Sequence, residues 1–292
     1  MIKSRVPKLS GVFLFLFLAG CVAMSPDHVK TLSDTVIDAD EVWSGTIVVD
    51  GVVTVKKEGK LTIRPGTKVL FVRNDRDGDG IGDAEILIEG SLVARGTPGA
   101  PILFSSAEEN RQPADWKYLY LDFARQGEVA YVVSEYAYSG IQVHFCKAVV
   151  ENSVFRNNID GVRFSTVNIE VRGNRIYRNR HGLRYEERRS RAIVTGNDIR
   201  NNDIGVFIVT RSEDKAQIWK NNIADNRDYN VKLGISQKHD VTLPQNWWGV
   251  APNKIEDQFF DKKQDRTLGR VRAPEPLTAP VSLGLSIGMA KE

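Results

Sequence analysis

Two groups of residues have types and spacings that suggest chemistry. In the stretch NDRDGDGIGDAE, residues 74–85, Asp75, Asp77, Asp79 and Asp83 alternate with Gly78, Gly80 and Gly82. Carboxylates at that spacing can curl around one hard cation, with the Ile81 carbonyl as a further oxygen ligand, so a structural Ca2+ is expected there. The second group is basic. Between residues 156 and 191 there are ten arginines against four acids, Asp160, Glu170, Glu186 and Glu187. Guanidinium forks suit carboxylate and phosphate, which makes an acidic glycan or lipopolysaccharide the partner to expect. Other reactive groups are sparse. No two of His28, His144, His181 and His239 have metal-ligand spacing.

The elements that position these groups follow from a repeat. GNRIYRNRHG places Asn174, Asn179 and Gly182 at offsets of five and eight, and GNDIRNNDIG repeats this with Asn197, Asn202 and Gly205. ENSVFRNNIDG reads as Asn152, Asn158 and Gly161, with one residue added before the second Asn. The first Asn recurs at 152, 174, 197, 221 and 246, steps of 22, 23, 24 and 25 residues, a drift typical of a solenoid whose corners accept insertions. Within each unit apolar residues alternate: Val162 and Phe164, Leu183 and Tyr185, Val206 and Ile208, with Arg163, Arg184 and Phe207 between them. Val149, Val171, Val194, Ile218 and Leu243 precede the Asn by three positions. Val154, Ile176, Ile199, Ile223 and Trp248 follow it by two. Three short strands per unit, joined without helices, predict an all-β, right-handed parallel β-helix of about 8–10 coils, each about 21–25 residues. The Asn columns serve the corners, where Asn tolerates left-handed backbone and stacks in hydrogen-bonded ladders. The register reading stacks Arg156 on Arg178 and Arg163 on Arg184, about 4.8 Å apart. Like charges so placed need a compensating partner, so Arg156, Arg163, Arg178 and Arg184 are the candidate ligand-binding residues.

On these coils the chain resembles the bacterial parallel β-helix repeat proteins of the pectate-lyase-like superfamily. The stretch from Trp43 to Phe71 resembles their opening coils, and NWWG, residues 246–249, their closing motif. The resemblance covers residues 43–250 and speaks for fold; the group includes lyases, hydrolases, epimerases, adhesins and lipoproteins. The Asp-rich loop begins like an EF-hand, but Ile86 stands where a bidentate Glu belongs and its flanks alternate as strands. It is more similar to the calcium loops of thrombospondin type 3 repeats.

The N-terminus carries Lys3, Arg5 and Lys8, an apolar run from Val12 to Leu18, and then Leu-Ala-Gly-Cys at 18–21. This pattern fits a secretory signal, and its last four residues resemble the bacterial lipobox. On that resemblance residues 1–20 are removed, Cys21 is lipidated, and residues 21–42 form the anchor, tether and N-terminal cap. Val22 then favours the outer membrane. The net charge of +3 equals those three N-terminal cations, leaving 37 basic against 37 acidic residues, which argues against a nucleic-acid partner. Residues 251–292 form a C-terminal cap, with a short amphipathic helix around Ile255, Phe259 and Phe260 and a Pro-containing tail.

Enzymatic constellations are incomplete. The RHG at 180–182 keeps only part of the Gly-His-Gly of β-helix galacturonases, and no adjacent Asp pair occurs in the coils. KHD at 238–240 resembles the His-Asp element of alginate epimerases only faintly. Three Met and one Cys beyond the lipobox argue against a copper-maturation role of the kind known for other β-helix proteins. The expectation is an envelope lipoprotein that binds an anionic polysaccharide or lipopolysaccharide rather than turning it over. The alternatives are a calcium-dependent polysaccharide lyase and a structural partner in an outer-membrane complex.

Overall fold

Alternating apolar residues can bury one face of a strand only if another sheet covers it, and here each coil covers its own interior. The structure is a computed structural model that describes residues 29–284, apart from Asp214, together with Ile287. Residues 1–20, expected to be a secretory signal, and Cys21 lie outside the described residues. Each coil lays down one strand in each of three sheets of nine, ten and eight strands. The first runs from Val29–Leu32 to Asn222–Ala224, the second from Thr35–Ile37 to Phe259–Phe260, and the third from Asp40–Trp43 to Gln217–Trp219. Every neighbour in these sheets is parallel, and the chain is a right-handed parallel β-helix.

The interior is a set of apolar stacks. Val150, Val171, Val194 and Ile218 follow one another in the third sheet, and Phe155, Ile176, Ile199 and Ile223 in the first. All are at most 1% exposed. Phe71 stacks on Trp116 with ring centroids 4.0 Å apart, and Phe164 on Tyr185 at 5.0 Å.

The corners carry two amide ladders. In one, the backbone N–H groups of Ser153, Asn174, Asn197 and Asn221 each donate to the side-chain oxygen of the next Asn, ending at Asn246. In the other, the N–H groups of Asn158, Asn179 and Asn202 do the same, ending at Asn226. The sequence reading needs one correction here. Asn152 is not in the ladder; Ser153 is, so the offsets of five and eight hold without an insertion. Asn152 takes the preceding left-handed position (φ 48°), which Gly173 and Gly196 occupy in the following coils at φ 66°. The same one-residue shift puts Val150 and Phe155, rather than Val149 and Val154, in the core stacks. The Gly of the motif is a close-approach position: a Cβ on Gly161 would lie 2.7 Å from the Gly182 carbonyl.

The ends also differ from expectation. Paired strands begin at Val29, so coil structure already occupies much of the segment expected as tether. At the other end Pro252–Gln258 is a short 3-10 helix with Ile255 buried, and Phe259–Phe260 is a strand that extends the second sheet. Pro252 at the first turn and the extended backbone at Phe259 confine the helix to that length.

Candidate functional site on the second sheet

Parallel register turns residues about 21–25 apart into neighbours, and on the outer face of the second sheet it assembles three rows of side chains. The central row is Tyr120, Gln142, Arg163, Arg184, Phe207, Lys232 and Phe260. On one side run Asp122, His144, Ser165 and Glu186; on the other, Tyr118, Ser139, Asp160 and His181. Arg163 and Arg184 are thus register partners, as the repeat implied.

Their compensating acid is Asp160, whose side chain is 0% exposed. Arg184 donates to its Oδ2 at 2.9 Å, Arg163 approaches to 3.9 Å, and the His181 Nδ1 lies 2.7 Å from Oδ1. Burial opposes ionisation of this carboxyl, but the His181 hydrogen bond and the Arg184 charge outweigh it and hold Asp160 below the ordinary carboxylate range. His181 also stacks on Phe207 at 4.8 Å, and the Arg184 guanidinium lies 5.9 Å from the same ring. Tyr118 packs edge-on against both Tyr120 and Tyr138. Burial pushes the Tyr120 hydroxyl up to about 12, so it stays protonated. Burial and the nearby Arg163 charge pull His144 down to about 4, so it is a neutral partner for the Tyr120 hydroxyl at 3.1 Å. A shallow pocket of about 150 Å³ opens between His144, Arg163, Arg184, Glu186 and Arg188.

Arg156 and Arg178 are elsewhere. The register partner of Arg156 is Tyr177, not Arg178. Arg156 belongs to the first sheet and is committed to Glu135 at 2.7 Å and to the Tyr177 hydroxyl at 3.2 Å. Arg178 takes a corner position at φ 56°, which interrupts the strand alternation before the side chains can stack. Of the four arginines, the fold therefore brings only Arg163 and Arg184 together on this face. Glu186 pairs with Arg188, while the buried Glu187 accepts the Ser212 hydroxyl and the N–H groups of Glu213 and Lys215. Asp160 and His181 escaped sequence reasoning because they are 21 residues apart; aligning their coils on Gly161 and Gly182 would have paired them.

The acidic loop runs from Lys68–Phe71 of the first sheet to Glu85–Ile88 of the second, and the latter strand lies three strands from Asp160–Ser165, a span of about 14 Å at 4.8 Å per strand. Oxygens of Asp75, Asp77 and Asp79 lie within 4.8 Å of one another. Asp83 is not in that group; it accepts the Arg76 N–H at 2.7 Å and stands 3.6 Å from Lys117. Backbone N–H groups of Gly80, Asp79 and Ile81 donate to Asp75, Asp77 and Asp79 and hold the loop in its curl.

Three all-parallel sheets wound into a solenoid with a polar, aromatic outer face define a parallel β-helix protein. The family described as periplasmic copper-binding protein (NosD) matches residues 98–249, more than half of the chain, and the chain belongs to that family. No curated protein and no solved structure matched it. No described helix is long and apolar enough to cross a membrane.

The copper in the family's description can be tested against the donors. Copper centres draw on imidazole, thiolate and thioether. All three Met lie outside the described residues. The buried Cys146 thiol is pushed up to about 12 by desolvation, which opposes the thiolate. His181 Nδ1 is engaged by Asp160 and His144 Nδ1 by Tyr120. Among the described residues the only group of three metal-ligating side chains is Asp75, Asp77 and Asp79, all hard oxygen donors. The described residues do not fit a copper centre, although the family's description names copper where composition argued against a copper role.

Proposed function

We propose that this periplasmic β-helix protein binds an anionic polysaccharide or lipopolysaccharide along the outer face of its second sheet, with its N-terminus processed at the lipobox and anchored through lipid on Cys21. The observation that carries this reading is the meeting of two register-paired arginines, each about a fifth exposed, at a single buried carboxylate. One Asp160 leaves a positive excess that a ligand carboxylate or phosphate can take up. Tyr118, Tyr120 and Tyr138 extend the row with ring surface against which a sugar can pack. The row from Tyr120 to Phe260 runs along the helix axis, which suits an extended chain. A structural Ca2+ on Asp75, Asp77 and Asp79, with the Ile81 carbonyl as a further ligand, would fix the neighbouring loop. The position of Asp83 gives it the part of a loop anchor through Arg76 and Lys117.

The test is retention of the detergent-solubilised full chain on immobilised polyuronates and lipopolysaccharide, compared with Arg163→Glu/Arg184→Glu. The wild type is expected to be retained and the double variant released. Equal retention of both, or none by the wild type on any anionic glycan, would refute the reading.

A further inference from the structure

The carboxylate that compensates the two arginines also orients a histidine. Arg184 grips Oδ2 of Asp160 and His181 grips Oδ1, so the guanidinium and the imidazole are held on opposite oxygens of one buried group. With Nδ1 given to Asp160, the imidazole presents Nε2, which has no hydrogen-bond partner among the described residues. The ring is 11% exposed and fixed by its stack on Phe207. A carboxylate beneath Nδ1 fixes the proton on that nitrogen and leaves the Nε2 lone pair facing outward, the orientation a general base requires. The surrounding row is not closed by its own contacts. The Arg184 Nε and the Oε1 of Gln142, a residue only 5% exposed, are buried without partners. Buried donors and acceptors left open in this way suit a ligand that brings both a carboxylate and hydroxyls.

Resting on the binding reading above, we propose that His181 and Asp160 form a proton-abstracting dyad acting on a uronate held by Arg163 and Arg184. In the step, the C–H bond next to the uronate carboxylate breaks and its proton passes to His181 Nε2. The electron pair spreads into the carboxylate, where the two guanidiniums balance the added charge. The pair then forms a carbon–carbon double bond as the bond to the β-oxygen of the glycosidic linkage breaks. That oxygen leaves with its bonding electrons and takes the proton from the imidazolium, so the dyad returns to its starting state. No oxidant, reductant or metal enters the balance.

The test uses the full chain in detergent with polygalacturonate and alginate in D2O. Retention is measured alongside the ultraviolet absorbance of the unsaturated product and deuterium at the carbon bearing the carboxylate. The wild type is expected to release unsaturated ends. His181→Gln should keep its retention and lose product at least about 100-fold, the usual share of a general base. His181→Ala should recover product on addition of imidazole, which separates loss of the base from loss of fold. Retention by the wild type with neither product nor deuterium would overturn the dyad and leave the binding reading standing, as would undiminished product from His181→Gln. Absence of wild-type retention would instead remove the binding reading.

Discussion

Replacing Asp160 by Asn keeps the shape of the side chain and removes the charge that Arg184, Arg163 and His181 share. Breaking a buried pair from one side usually costs about 3–5 kcal/mol, because the other charge is left uncompensated. Here Asp160 is fully buried, but the Arg163 and Arg184 side chains are 23% and 21% exposed and can turn partly to water. The expected loss is therefore smaller, about 2–3 kcal/mol, equivalent to a fall in melting temperature of roughly 5–10 °C for a domain of this size. The pH dependence has a definite sign. Asp160 is held below its ordinary range in the folded chain, so its contribution is fully present above the unfolded carboxylate value near about 3.9 and fades as the pH falls through the folded value. The gap between wild type and Asp160→Asn should be constant from neutral pH to about 4 and narrow below that. Thermal melts across that range, repeated in an Arg184→Gln background, are the assay. In that background Asp160→Asn should cost less than half as much, since the two residues share one interaction. A gap under about 1 °C at neutral pH, or full additivity of the two substitutions, would refute the reasoning.

The calcium loop and the amide ladder are open to equally direct tests. Melting of the full chain should rise in millimolar calcium, and Asp77→Asn/Asp79→Asn should lose that rise; identical wild-type melting in calcium and in chelator would sink the calcium assignment. Asn197→Ala deprives the Asn174 N–H and the Val171 carbonyl of buried partners. At about 1–3 kcal/mol for each orphaned group, a loss of about 3–5 kcal/mol is expected. Amide exchange at Asn174 should accelerate with it, and unchanged exchange would mean that the corner is held by something other than the ladder.

What was legible in the sequence was what repeats. The alternation around Gly161, Gly182 and Gly205, and the returning Asn, determine three strands and tight corners per coil, because only a parallel solenoid satisfies both patterns along the chain. The stacking of Arg163 on Arg184 followed, since both sit two residues after an aligned Gly. Reading failed where one coil departs from the pattern. Ser153 replaces an Asn while Asn152 stands beside it, and only the hydrogen bond from Ser153 to Asn174 shows which residue occupies the ladder. That single shift also displaced Val149, Val154 and the assumed partner of Arg156.

The tertiary structure alone decided how the charges are partnered. Arg156 and Arg163 are equally basic in sequence, but one lies in the first sheet against Glu135 and the other in the second beside Asp160. The Asp160–His181 contact belongs to register rather than to any local motif, because a side chain's neighbours in a solenoid are set by the coil above and the coil below. Local sequence determines which residues turn inward and where the chain bends. The coil-to-coil register determines which outward groups meet, and the chemistry of this face depends on that meeting.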